Sequence, residues 1–254
     1  MQIYLAAAPD HLDQARQYTS QLAHMAYHIG ENGHLTACPL PPQLQGGLMM
    51  LSDQDAPTIT QQDILCREII RECSRRNYAG VVLDFEAPPS ADKVRLLRQL
   101  DELLHRQGRQ LFIPENWGTY ASHAAVLICT ALSGGTLRQR LEEAITRFSP
   151  RPVALDCQRV AMDFLLPSPN GEGAPLTRDQ LRQRQQGRPV YFSRDLCARY
   201  FTYRTQSHTH FVLFDDADTL RRKIRLGAEL GINTALFMLP EVIDLPPDLF
   251  GGKQ

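Results

Sequence analysis

Eight short apolar runs, several of them separated by stretches of helical periodicity, constrain this chain more than any other feature. They fall at 2–8, 23–29, 48–52, 80–85, 110–114, 124–131, 159–166 and 232–239. Each has the length and near-continuous apolar character of a strand buried on both faces. Helical patterns occupy 61–77, 91–107, 136–148 and 217–230. In the second, Val94, Leu97, Leu100, Leu103 and Leu104 share one face while Arg95, Arg98, Asp101 and Arg106 lie largely elsewhere. Ser90 is placed as its cap and Gly108 as its stop. Strands alternating with helices give a parallel sheet, and eight of them in 254 residues suit a closed α/β ring, the (β/α)8 TIM barrel. The alternative is an open doubly wound sheet, but no glycine-rich phosphate loop follows the first strand.

Two regions break the alternation. Glu31-Asn32-Gly33-His34 reads as a tight hairpin turn extending the second strand, followed by a loop through Pro39, Pro41 and Pro42. Residues 167–216 read as a small inserted excursion over the barrel mouth. It has a turn-rich start (168–173), a short helix from Thr177, and extended stretches near 190–193, 200–205 and 210–214. The expected organisation is one barrel domain over 1–254 carrying that excursion.

A formal net charge of −1 argues against a nucleic-acid stripe or a membrane-surface patch. No segment approaches the roughly 20 apolar residues that span a bilayer. The first residues enter a strand without a basic, then apolar, leader, so the expectation is a cytoplasmic protein. Six cysteines form no Cys-x-x-Cys pair. Cys66 and Cys73 lie on one helical face, so reduced, buried thiols are expected. His208 and His210 share a strand face, yet nothing completes a ligand set, so neither a metal nor a cofactor is expected.

The run Gly80-Val81-Val82-Leu83-Asp84-Phe85-Glu86 ends in two acids spaced by one residue. Alternation along a strand points Val82, Asp84 and Glu86 one way. At the C-terminal end of a barrel strand, such a pair sits where active sites are built. Neighbouring buried acids push each other's pKa values apart, leaving one charged and one able to hold a proton. The competing reading has Asp84 capping a turn and Glu86 solvated at the strand end.

These residues resemble glycoside hydrolase family 18, the chitinase-like barrels, and within it the smaller bacterial spore and cell-wall lytic branch. The fourth strand of that family carries Asp-Gly-x-Asp-x-Asp-x-Glu, of which Gly80, Asp84 and Glu86 remain. Leu48 to Ser52 is similar to its third strand. Tyr200-Phe201-Thr202-Tyr203, the run from His210 to Leu220, Lys223 and Gly231 follow the order of its C-terminal third. The resemblance implies substrate-assisted retaining hydrolysis of N-acetylglucosamine-containing glycans, of chitooligosaccharide or peptidoglycan type, with spore or cell-wall association. Glu86 would be the acid, and Asp84 would orient the acetamido group. Departures are equally specific. Ala79 and Val82 replace two family aspartates, and Cys129-Thr130-Ala131-Leu132 stands where the sixth strand has Met-x-Tyr-Asp. Phe237 is read as replacing the eighth-strand tryptophan.

Further candidates follow from position. Glu115, Asn116 and Trp117 directly follow the fifth strand; Trp117 reads either as a sugar-stacking platform or as a packing anchor. Tyr27 ends the second strand and either lines the mouth or is buried with a satisfied hydroxyl. Asp163 is expected inside the seventh strand, as a substitute site acid or, preferably, in a structural ion pair. Asp215 and Asp216 are expected to cap the last helix. Two other functions stand beside hydrolysis: a glycan-binding scaffold without turnover, and a barrel hydrolase or lyase using Glu86 with a metal.

Overall fold

The computed structural model describes residues 1–54, 58–167, 171–206 and 208–250. The barrel begins with β1 (Gln2–Ala7), a short α1 (Leu12–Ala15) and β2 (Leu22–Ile29). β3 (Leu35–Ala37) folds back on β2 as an antiparallel hairpin through the expected turn. Then follow β4 (Leu48–Ser52), α2 (Gln62–Arg75), β5 (Gly80–Asp84), α3 (Ala91–Arg106) and β6 (Gln110–Pro114). β7 (Ala125–Cys129), α4 (Leu137–Phe148) and β8 (Val153–Asp156) complete seven parallel barrel strands.

The chain then leaves the barrel. β9 (Ala161–Leu166), β10 (Ala174–Pro175), α5 (Arg178–Gln185), β11 (Tyr191–Ser193), β12 (Ala198–Arg204) and β13 (Thr209–Phe214) form an antiparallel sheet with one covering helix. It returns through α6 (Ala217–Glu229) to β14 (Thr234–Met238), the eighth barrel strand, and ends with α7 (Leu239–Val242). β14 pairs with both β8 and β1, and β1 also pairs with β2, which closes the ring.

The seventh barrel strand therefore differs from the one read in the sequence. Val153–Asp156 holds that place, and the run at 159–166 opens the inserted sheet, so the excursion starts before residue 167. Residues 168–170 of the turn-rich stretch read at 168–173 lie outside the described residues. Thr177 caps α5 in a reciprocal capping box with Gln180.

Alternation sorts the apolar residues into two layers. Tyr4, Ala6, Ala23, Leu48, Met50, Val82, Phe112, Leu127, Ala154 and Leu236 fill the barrel interior. Leu5, Met49, Leu51, Val81, Leu83, Ile113, Val126, Leu155 and Phe237 face outward against the helices. Gly80 is required by this packing: a Cβ there would collide with the Gln110 carbonyl of β6. Two buried ion pairs tie helices to the strand ends: Lys93 Nζ lies 2.5 Å from Asp53 and Lys223 Nζ 2.7 Å from Asp215. Asp216, not Asp215, makes the cap of α6, in a capping box with Thr219. Cys66 and Cys73 are fully buried free thiols.

Candidate active site

At the C-terminal ends of the barrel strands lies a cleft of about 580 Å³. Its floor is apolar, formed by Met50, Val82, Leu127, Leu236 and Met238, and its polar groups come from several elements. Asp84 closes β5 on the inward face, in the same register row as Ser52 of β4 and His28 of β2. Asp156 closes β8 on the inward face, beside Cys129 of β7. Glu115 and Asn116 follow β6, Gln158 follows β8, and Glu241 reaches in from α7.

The electrostatics follow from crowding acids over an apolar floor. Burial raises the Asp84 carboxyl above the usual range, and the charges of Glu86 and Asp53 raise it further. Burial pushes Asp156 up to about 6; the 2.8 Å hydrogen bond from Gln158 opposes this and the Asp84 charge adds to it. Burial likewise raises Glu241 to about 7, against the Arg159 backbone N–H that donates to it at 3.1 Å. Glu115 is held by Arg140 and by Arg147, the latter at 3.5 Å. Asp84 thus shares the cleft with two acids, Asp156 and Glu241, that burial holds well above the usual carboxylate range.

Glu86 stands differently from the expectation of a shared face. β5 ends at Asp84, so strict alternation stops there. Glu86 is exposed, its backbone N–H donating to Asp53 Oδ1 at 3.1 Å. It is absent from the residues lining the cleft, though its charge reaches Asp84.

Of the other sequence candidates, Glu115 and Asn116 line the cleft and four do not. Tyr27 lies behind the barrel wall, 3% exposed, with its hydroxyl bonded to Glu72 and Tyr78 at 2.9 Å each. A bulge between Met25 and Tyr27 shifts the register, pairing Tyr27 with outward Leu51. Trp117 is fully enclosed, edge-on to Phe85 at 5.4 Å, and is the packing anchor. Phe237 faces outward onto Phe250 at 4.8 Å; the inward mouth position on β14 belongs to Met238. Asp163 lies in the inserted sheet, bonded to Arg184, Tyr203 and His210 at 2.7, 2.8 and 3.0 Å, as a structural ion pair.

Sequence reasoning missed Asp156 and Glu241. A signal for Asp156 was present: Val153-Ala154-Leu155-Asp156 nearly repeats Val81-Val82-Leu83-Asp84. Glu241, on a four-residue helix, has no comparable signature.

No family model matches the chain, and no curated protein matches it either. Solved structures do. The spore cortex-lytic enzyme SleL of Bacillus megaterium superposes at a TM-score of 0.67 with 16% identity, over 98% of this chain and 72% of that one. A chitinase from Chromobacterium violaceum gives 0.65 and 15%, over 94% of each chain. A family 18 chitinase from Cycas revoluta, solved with (GlcNAc)4, gives 0.63 and 12%, over 99% of this chain and 100% of that one. The architecture is therefore that of the chitinase-like (β/α)8 barrels. Within that class the fold is the one shared by glycoside hydrolase family 18 and the spore cortex-lytic enzymes. Among the described residues no helix is long and apolar enough to cross a membrane.

Proposed function

We propose that this protein is a glycoside hydrolase acting on N-acetylglucosamine-containing glycans, of chitooligosaccharide or peptidoglycan type, by substrate-assisted retention. Glu86 protonates the glycosidic oxygen. The acetamido carbonyl of the sugar attacks the anomeric carbon, giving an oxazolinium ion, while Asp84 accepts the acetamido N–H and stabilises its growing positive charge. Water then opens the oxazolinium as Glu86 takes back a proton. Glu115 and Asn116 contact the sugar from the side of the cleft. The observation that carries this reading is the Asp84-x-Glu86 pair emerging from the fourth strand of a chitinase-type barrel beside an open cleft. The Cycas neighbour, crystallised with (GlcNAc)4, supports the choice of sugar.

A second reading, a glycan-binding barrel with little turnover, rests on Cys129 and exposed Glu86. The sixth strand supplies a thiol where an oxygen donor would help, and such a donor is worth about 3 kcal/mol in a transition state. Incubation with chitooligosaccharides and peptidoglycan fragments, alongside Glu86→Gln, separates the two. Cleavage lost on substitution supports the hydrolase, and binding without cleavage in the parent protein supports the scaffold.

A further inference from the structure

Asp156 and Asp84 enter one cleft from β8 and β5 over a floor with no polar side chain among Met50, Val82, Leu127 and Met238. Two carboxylates cannot both ionise cheaply there: burial raises each of them, and the charge of Asp84 raises Asp156 further. Gln158 Nε2 donates to Asp156 Oδ2 at 2.8 Å. The proton of a neutral Asp156 accordingly sits on Oδ1, the oxygen Gln158 leaves for a ligand. The neighbouring strand end contributes only the Cys129 thiol, a weak donor. Among the described residues the other charged or titratable groups at the cleft are Glu115, Arg147 and Glu241, with Glu86 and Asp53 acting on Asp84 from beside it. Glu115 and Arg147 are paired, and Glu241 is raised by burial and then by Asp156.

One acceptor-only acid and one acid carrying a donor make a two-point complement to a secondary amide, which offers one N–H and one C=O. A methyl group on that amide meets the apolar floor. We propose that Asp156 is a positioning residue that donates from its carboxyl O–H to the carbonyl oxygen of the substrate's acetamido group, while Asp84 accepts the N–H. This rests on the proposed glycan reading and adds to it the residue that selects the N-acetyl group and orients its carbonyl. Because the O–H is lost when Asp156 ionises, the selection belongs to pH values below about 6.

The test is calorimetric titration of the Glu86→Gln protein, which holds glycan without cutting it, with the N-acetylglucosamine tetramer and with the unsubstituted glucose tetramer of the same linkage. At pH 5 the N-acetylated tetramer is expected to bind at least about tenfold more tightly, the worth of one neutral hydrogen bond, and at pH 8 that preference shrinks. Adding Asp156→Asn keeps an amide donor and makes the preference independent of pH. Adding Asp156→Leu, which takes this one carboxyl out of the cleft, lowers the pH 5 preference to its pH 8 level and makes the two alike, because Asp84 still accepts the N–H. A pH 5 preference that Asp156→Leu leaves undiminished overturns the inference and leaves the glycan reading standing. Failure of the N-acetylated tetramer to bind the Glu86→Gln protein overturns both.

Discussion

Lys223 and Asp215 form a 2.7 Å ion pair in which both side chains are fully enclosed. Asp215 also accepts from Thr219 Oγ1 at 2.7 Å and from the Val160 backbone at 3.0 Å, so the pair joins α6 to the point where the chain leaves the barrel. Removing one partner strands a charge in the core, and Lys223→Ala is expected to cost about 3–5 kcal/mol in urea unfolding. Replacing both, Lys223→Met with Asp215→Leu, should recover much of that loss. Equal damage from the single and double changes would mean that the pair is not the source of the cost.

Asp156 should set a pH dependence of stability. Its carboxyl titrates at about 6 in the fold against an ordinary 3.8, so the folded state binds the extra proton between those values. Stability is lost as pH rises through that window, because above it the fold must hold a disfavoured charge. Asp156→Asn is neutral at every pH. It is expected to leave stability unchanged near pH 4 and to raise it at pH 8 by up to about 3 kcal/mol, at 1.36 kcal/mol per unit. Thermal melts at the two pH values measure this, and equal shifts at both would contradict it.

Trp117, the chain's only tryptophan, packs between Phe85 and Tyr120 and holds the segment that follows β6. Its emission is expected to be that of an enclosed indole, poorly quenched by acrylamide and unmoved by saturating N-acetylglucosamine tetramer. Trp117→Ala should cost about 3–5 kcal/mol of stability. A large emission change on adding the sugar would place the indole in the site after all.

The barrel was legible because its signals are redundant: parallel strands buried on both faces leave long apolar runs, and helices between them leave a 3.6-residue period. The seventh strand was misplaced because Val153–Asp156 is short and the run after it is longer and more apolar in appearance, although that run pairs with β13 rather than with β7. Tyr27 was turned the wrong way by a single bulge, which reverses the facing of every residue beyond it. Phe237 was read one position away from Met238, the residue that faces the mouth. Asp84, Glu115 and Asn116 were legible because they sit where strand periodicity and barrel polarity agree. Glu241 was not, because only the return of the last strand brings its short helix over the cleft.

The account stands on Glu86 acting beside Asp84. Release of reducing ends from an N-acetylglucosamine oligomer, followed for the parent protein and for Glu86→Gln, tests it most directly. Glu86 is exposed, so the substitution should leave the thermal melt unchanged. The predicted result is measurable cleavage by the parent protein that falls about 10²–10⁴-fold in the variant, the usual worth of a general acid. Cleavage equal in the two proteins would contradict it.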